Sequence, residues 1–451
     1  VPQALMLNPG LRTPYQWHAG VPLLSAISVQ AGTSGITVND LFANDGLDFT
    51  TKVRDRAVNG LSQNDEFGGS AQVELFYAGF RNGNRPNDYY SFGVYGEGFI
   101  AQYWPRDLAI LAFEGNAGNI GRRFSFNHIA TQGELVNVFH FGINRKINTK
   151  WTVGARAKLY SSVFEFKSRG NDGYFVTTQG ENNLLRNSIV ADVTLRTSGI
   201  DGILDVLDDE NSEPADLANL LARRSLLGGN LGLGFDLGIT HKLGKSSFIT
   251  ASLLDVGFIY HSKDVNNYTV QGAASNEGIQ FILPDDLNDL TGDIWQDLID
   301  ELEAQVPFGT NSDSYVSLRP IKFYGSYRYN FGTPKEGAKD CDCDISPLRT
   351  DTVFDYVNAL GAQVFVINRP RGPQTAITAF YQRRFGKALA LKATYTADKF
   401  TLSNVGLGMN IQAGPINFYV LADNLLGYQN IPNSNYASLQ FGFNILSWNR
   451  N

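Results

Sequence analysis

FTLSNVGLGMNIQAG, residues 400–414, sets Val405, Leu407, Met409 and Ile411 on one face of an extended chain and Asn404, Gly406, Gly408, Asn410 and Gln412 on the other. YASLQFGFNILSW, residues 436–448, repeats the pattern with Leu439, Phe441, Phe443 and Ile445 against Gln440, Gly442 and Asn444. LALKATYTAD (389–398) and PINFYVLADNLLG (415–427) lie between and beside them. Four short alternating runs joined by tight turns make a β-meander, oily on one side and polar on the other. A water-soluble sandwich hides the oily side against a second sheet, whereas a membrane barrel turns it to lipid and lines its lumen with the polar set.

Composition favours the barrel. The 451 residues include 46 Gly, 30 Phe and 20 Tyr, and barrels place aromatics at both membrane interfaces and glycines where the lumen or a bend needs room. Nothing approaches the roughly 18 uninterrupted apolar residues of a spanning helix. A net charge of −7 lacks the basic stripe that nucleic acid requires. The start at Val1, without a basic or apolar leader, fits a chain whose signal peptide has been removed, and a trimmed chain would begin the same way. Cys341 and Cys343, in KDCDCD, leave open a strained disulfide, a weak two-thiolate metal site or free surface thiols.

Strand and turn signals together predict an all-β transmembrane antiparallel barrel of about 14 strands. They lie near 17–28, 70–81, 88–101, 133–145, 151–166, 228–243, 247–261, 318–331, 354–368, 374–385, 388–398, 400–413, 416–427 and 437–448. Short links such as RKINTK, HKLGKS and AGP alternate with long ones near 29–69, 102–132, 167–227 and 262–317. Outer-membrane barrels have short periplasmic turns and long extracellular loops; both termini are then expected on the periplasmic side, with residues 1–16 a tether or a plug and 17–448 one barrel. The long loops read as partly helical. Around 291–302, Ile294, Trp295, Leu298 and Leu302 give a short amphipathic helix its apolar side and are the candidate partner contacts.

Lumen-facing charges are the candidate functional residues. If Val153, Ala155, Ala157 and Leu159 meet lipid, Arg156 and Lys158 point inward, and the same alternation turns His140, Glu97 and Glu74 inward on neighbouring strands. Asp236, Arg328, Lys392 and Asp423 also face the lumen, with Lys392, Arg328 and Lys322 as partners for the two aspartates. Charges inside a barrel need partners, so a structural ion network competes with a selectivity site. No serine carries a hydrolase motif, and His18, His128, His140, His241 and His261 are scattered. No catalytic residue, cofactor or metal site is expected. The acids Asp208, Asp209, Glu210, Asp285, Asp286 and Asp289 lack calcium-loop spacing and read as a solvated surface.

Four stretches, LMLNPGLRTPYQWHAGVPLL, WTVGARAKLYSS, LGFDLGITHKLGKSSFITASLLDVGFI and NVGLGMNIQAGPINFYVLADNLLGY, resemble a family of uncharacterised outer-membrane barrels from Bacteroidota. That family looks distantly like the fourteen-stranded long-chain fatty-acid transporters and the shuttle barrel of the type nine secretion system. The resemblance implies the outer membrane and a barrel fold, with no catalytic motif to carry over; the cysteine-bearing link at 332–353 departs from the family pattern. Two functions follow as expectations. The first is a non-catalytic accessory subunit of an envelope complex for protein secretion, barrel assembly or surface display, with outer-membrane lipid and other outer-membrane or periplasmic proteins as partners. The alternative is passive transport of hydrophobic small molecules.

Overall fold

The computed structural model describes residues 1–180, 184–209, 211–277, 308–332, 356–386 and 388–448. The helix expected near 291–302, with Ile294, Trp295, Leu298 and Leu302, and the Cys341/Cys343 link both lie outside the described residues.

All strands join one antiparallel sheet that closes on itself. In chain order they are β1 Tyr15–Gly20, β2 Ile27–Thr33, β3 Glu66–Arg81, β4 Asp88–Tyr103, β5 Arg123–Ser125, β6 Thr131–Lys146, β7 Trp151–Gln179, β8 Leu185–Ser198, β9 Asn230–Lys242 and β10 Ser247–His261. There follow β11 Val265–Glu277, β12 Phe308–Asn311, β13 Tyr315–Leu318, β14 Lys322–Phe331, β15 Asn358–Arg369, β16 Gly372–Phe385, β17 Leu389–Ala397, β18 Asn404–Ala413, β19 Ile416–Asp423 and β20 Tyr436–Trp448. β1 and β2 share one position in the wall, between β3 and β20. β13 and β14 share another, both pairing with β10. With those two composites the wall has 14 strands, and β20 against β1 and β2 closes it.

Alternation governs every wall strand. On β9, Leu231, Leu233, Phe235 and Leu237 are all exposed on the outer surface, while Asp236 between them is fully buried. The same outward rows run through Phe76, Phe80, Phe92, Phe141 and Ile143. No second layer covers these rows among the described residues. The sandwich alternative is thereby excluded.

At the long-loop end β7 outgrows the barrel and pairs with β8, which pairs with β11 and then β12. Val58, Ile110, Phe124, Phe126 and Phe175 form an apolar core there, so the loops fold on one another. The loop helices are α2 Val38–Phe42, α3 Phe49–Lys52, α4 Arg106–Glu114, α5 Asp201–Asp208 and α6 Pro214–Arg223, whereas the short α1, Ala4–Leu7, belongs to the N-terminal segment. Thr37 and Asp40 cap α2 reciprocally, each side chain accepting the other's backbone N–H.

Two wall strands are interrupted, where continuous strands were expected at 17–28 and 318–331. Ala19 lies opposite Ala78, yet Ile27 lies opposite Val73, so eight steps along the first strand face five on β3. The surplus bulges out as Val21–Ala26, with Leu23 in the left-handed region at φ 64° and Leu23 and Leu24 56% and 44% exposed. The second interruption falls at 319–321. Pro320 cannot donate to the ladder there, and Leu318 and Lys322 keep register with Phe258 and Leu254.

Candidate functional site

The lumen divides into two halves of unlike chemistry. Beside β4, β6, β7, β9, β10 and the β13–β14 position, Arg156 Nη1 lies 2.9 Å from Asp236 Oδ2, and Lys158 Nζ lies 2.9 Å from the other oxygen of the same carboxylate. Lys158 also reaches Asp255 at 2.5 Å, and Lys322 lies 3.0 Å from the second Asp255 oxygen. Lys322 continues to Glu97, Glu97 meets Arg319 at 3.4 Å, and Arg319 ends on Glu134. Four cations therefore face four carboxylates, and the network is neutral. Arg156 and Asp236 face each other directly across β7 and β9, which explains how the pair forms from regular register alone.

Asp255 is the bridging member. It sits in a bulge of β10 at φ 60°, where its N–H donates to Asp236 at 2.8 Å and Tyr160 OH donates to its carboxylate at 3.4 Å. Left-handed geometry is tolerated better by Asp than by most non-glycine residues. The bulge inverts the alternation: Leu253 and Phe258 both face outward, though residues five positions apart lie on opposite faces of a regular strand. Arg319 and Lys322 face the same network for the same reason, across the break at Pro320.

Residues 1–14 lie inside the barrel. Gln3 Nε2 donates to Ser25 O, Glu74 and Asn444 at 2.8 to 3.0 Å. Arg156 donates to the carbonyls of Leu5 and Met6, and Ser252 Oγ donates to Leu7 O at 2.6 Å. Asn144 holds the carbonyls of Pro9 and Leu11 at 2.6 and 2.8 Å. Close approach requires glycine here: a Cβ on Gly154 would stand 2.0 Å from Pro9 O, and one on Gly238 would stand 2.1 Å from Asn8 Oδ1. The segment thus crosses from the β9–β10 wall to the β20–β3 wall.

Beyond it the lumen is hollow. One cavity of about 380 Å³ lies between the N-terminal segment and the wall, bounded by Ala26, Gln72, Lys392, Tyr419, Leu421 and Gln440. A second, of about 290 Å³, adjoins it and is bounded by Arg12, Arg328, Tyr356, Arg384 and Asn417. Both touch Gln382 and Asn410. Ala26 is the last residue of the first wall interruption, so the larger cavity reaches the place where the wall is broken.

The residues singled out from sequence separate accordingly. Glu97, Arg156, Lys158 and Asp236 belong to the network. Glu74 does not; it serves Gln3 at the edge of the hollow half. His140 stands among the rings of Tyr77 and Tyr95 and beside Gly93. Arg328 donates to Asn330 Oδ1 at 2.8 Å and to Tyr356 OH. Lys392 lies 4.6 Å over the Phe380 ring, and Asp423 accepts from Ser438 Oγ at 3.0 Å. The partners proposed for Asp236 change: Arg156 and Lys158 hold it with Lys322 one carboxylate away, whereas Arg328 and Lys392 line the opposite half. Asp255, Arg319, Glu134 and Gln3 complete the site without having been singled out. Glu134 was open to the same alternation that turns His140 inward, six residues along β6.

At the mouth, Glu66 accepts from Lys399 at 2.7 Å and from Gln374. Arg371, in the β15–β16 turn, donates to Asn127 O at 2.9 Å. Next to it burial holds the His128 imidazole below its ordinary pKa, against the opposing pull of the Asp107 carboxylate 3.5 Å away.

Residues 9–423 match the model of a family described only as of unknown function, DUF5723. The chain belongs to that family. No curated protein matches. Among solved structures the chain resembles the Ralstonia pickettii toluene transporter TbuX at 10% identity and TM-score 0.44, covering 99% of this chain and 94% of that one. It also resembles the Pseudomonas putida toluene transporter TodX at 9% identity and TM-score 0.35 (98% and 92% covered). A Pseudomonas aeruginosa FadL homologue matches at 11% identity and TM-score 0.37 (95% and 89% covered). At these scores the likeness says nothing of cargo.

Proposed function

We propose that this DUF5723 barrel sits in an outer membrane and lets small hydrophobic molecules pass from the hollow half of its lumen sideways through the wall. The observation that carries the reading is the coincidence of the broken first strand with the larger cavity at Ala26. A straight axial path meets the neutral ion network on one side and the N-terminal segment in the middle, which acts as a plug. A lateral path avoids the ion network and meets the N-terminal segment only at its edge, where Gln3 donates to Ser25 O. It opens among Leu23, Leu24 and the outward rows of β3 and β20, where an apolar molecule leaves the lumen directly into hydrocarbon without crossing a polar surface. No catalytic constellation is invoked, and passive partition supplies the driving force.

The test is entry of an uncharged apolar dye, N-phenyl-1-naphthylamine, into Gram-negative cells displaying the full chain, compared with cells carrying the empty vector. Faster entry is expected; an unchanged rate contradicts passage. The accessory-subunit reading draws on a separate observation, the leucines that α5 and the turn after α6 leave exposed: Leu204, Leu207, Leu226 and Leu227. Stoichiometric co-purification of another envelope protein through that surface would support it.

A further inference from the structure

We infer that the turn Arg224–Gly228 after α6 is a membrane anchor whose partner is lipid: Leu226 and Leu227 enter the hydrocarbon of the leaflet at the long-loop end of the barrel. The inference rests on the bilayer placement of the wall, not on passage through it, and it takes these two leucines from the protein-partner reading. Side chains directly opposite each other across a ladder share a face of the sheet. Ser161 on β7 lies opposite Leu231 on β9, and Asn137 on β6 lies opposite Ser161, so both belong to the outward side with Leu231, Leu233, Phe235 and Leu237. A polar side chain facing lipid is unfavourable without a partner. The turn supplies one: Ser161 Oγ donates to Arg224 O at 2.6 Å, and Asn137 Nδ2 donates to Ser225 O at 3.4 Å. Both side chains are buried beneath it. The turn therefore lies on the outer surface of the barrel, not over its mouth.

Its height fits the edge of the hydrocarbon. At the short-turn end Trp151 stacks on His241 with 3.8 Å between ring centroids, where a barrel carries an aromatic girdle. From His241 back to Leu231, about ten strand residues at about 3.3 Å each, inclined by about 40°, rise about 25 Å, the height of the apolar band of a membrane barrel. Tyr260, exposed and opposite Leu231 on β10, sets an aromatic at that far edge. Leu226 and Leu227, 68% and 41% exposed, continue the lipid-facing row of β9 across it. They are held in place. Arg224 Nη2 pairs with Asp264 at 2.6 Å, and Nη1 donates to Val163 O at 3.4 Å and to Gly199 O. Lys263 Nζ donates to Gly228 O at 3.1 Å. Leu227 sits at φ 69°, a conformation unfavourable for a bulky residue, and these contacts fix it with its side chain exposed. A rigid turn that holds two leucines outward is stabilised when hydrocarbon covers them. Continuity with the wall's own lipid-facing row selects lipid over a protein as that cover.

The experiment reconstitutes the purified full chain, as wild type, Leu226→Trp and Leu233→Trp, in phosphatidylcholine vesicles with plain or brominated acyl chains. It reads the tryptophan emission that each variant adds to wild type, with aqueous iodide as the opposing quencher. Heat-modifiability on a gel shows that each variant is folded. The emission added by Leu226→Trp is expected to fall at least twofold in brominated vesicles, as for Leu233→Trp, and to resist iodide. Quenching by iodide without quenching by brominated chains overturns the anchor, and so does protection from both, which would mean that protein covers the position. Leu233→Trp that escapes the brominated chains removes the bilayer placement and the anchor with it, whereas absent dye entry removes the passage reading and leaves the anchor standing.

Discussion

Each half of the lumen holds one interrupted wall strand, and the first and eighth positions of a fourteen-stranded wall lie across from one another. At the break beside Pro320, register is kept, and Arg319 and Lys322 turn inward to join a neutral network of eight charges. At the break over Val21–Ala26, three surplus residues are pushed outward and a cavity lies behind them. The same backbone event, a gap in a hydrogen-bond ladder, is backed by paired charges in one place and by a cavity in the other. A discontinuity in a barrel wall is thus not in itself an opening; what the adjoining lumen contains decides.

The comparison breaks most visibly if the Val21–Ala26 bulge is removed. Removing Pro22, Leu23 and Leu24 brings the first strand back to the step count of β3, and dye entry is expected to fall to that of cells without the protein while the barrel still folds. The next largest effect belongs to the half that holds the network. Asp236→Ala strands Arg156 and Lys158 with one carboxylate fewer, which for a buried pair costs about 3–5 kcal/mol, read by urea unfolding of the micelle-bound protein. In the same assay Lys392→Met is expected to leave stability unchanged or raise it, because no paired partner is abandoned; equal losses from both would erase the distinction between halves. Gly154→Val, which sets a side chain against Pro9 O, is expected to cost about 1–3 kcal/mol by overpacking. It should also dislodge the N-terminal segment, seen as ion conductance in planar bilayers. Smallest is Arg186→Gln at the exposed pair with Glu277, expected below about 0.5 kcal/mol.

Much of this barrel is legible in the chain because its side chains alternate with a period of two, and lipid on one side with polar lumen on the other writes that period into the sequence. Leu231 to Leu237 around Asp236 show it most plainly. The alternation fails where the backbone departs from it. Asp255, on the lipid side by simple counting, is brought inward by a bulge, and Arg319 with Lys322 cannot share a face on an unbroken strand. The run VPLLSA reads as apolar strand, so its bulge is hidden; only the mismatch with β3 reveals it. Gln3 could not be assigned because nothing in the first residues says which wall they meet. The glycines Gly154 and Gly238 were the available signal, since they mark where another backbone comes close.

Lateral passage through the Val21–Ala26 gap is tested most directly by an uncharged alkyl diazirine flashed onto the protein in liposomes, with labelled residues located by mass spectrometry. Labelling that includes lumen-facing Leu421 and Tyr419 together with Leu23, Leu24 and Ala26, and that drops at Leu421 and Tyr419 when residues 22–24 are removed, is the expected result. Labelling confined to the outward rows, with Leu421 and Tyr419 untouched, would contradict it.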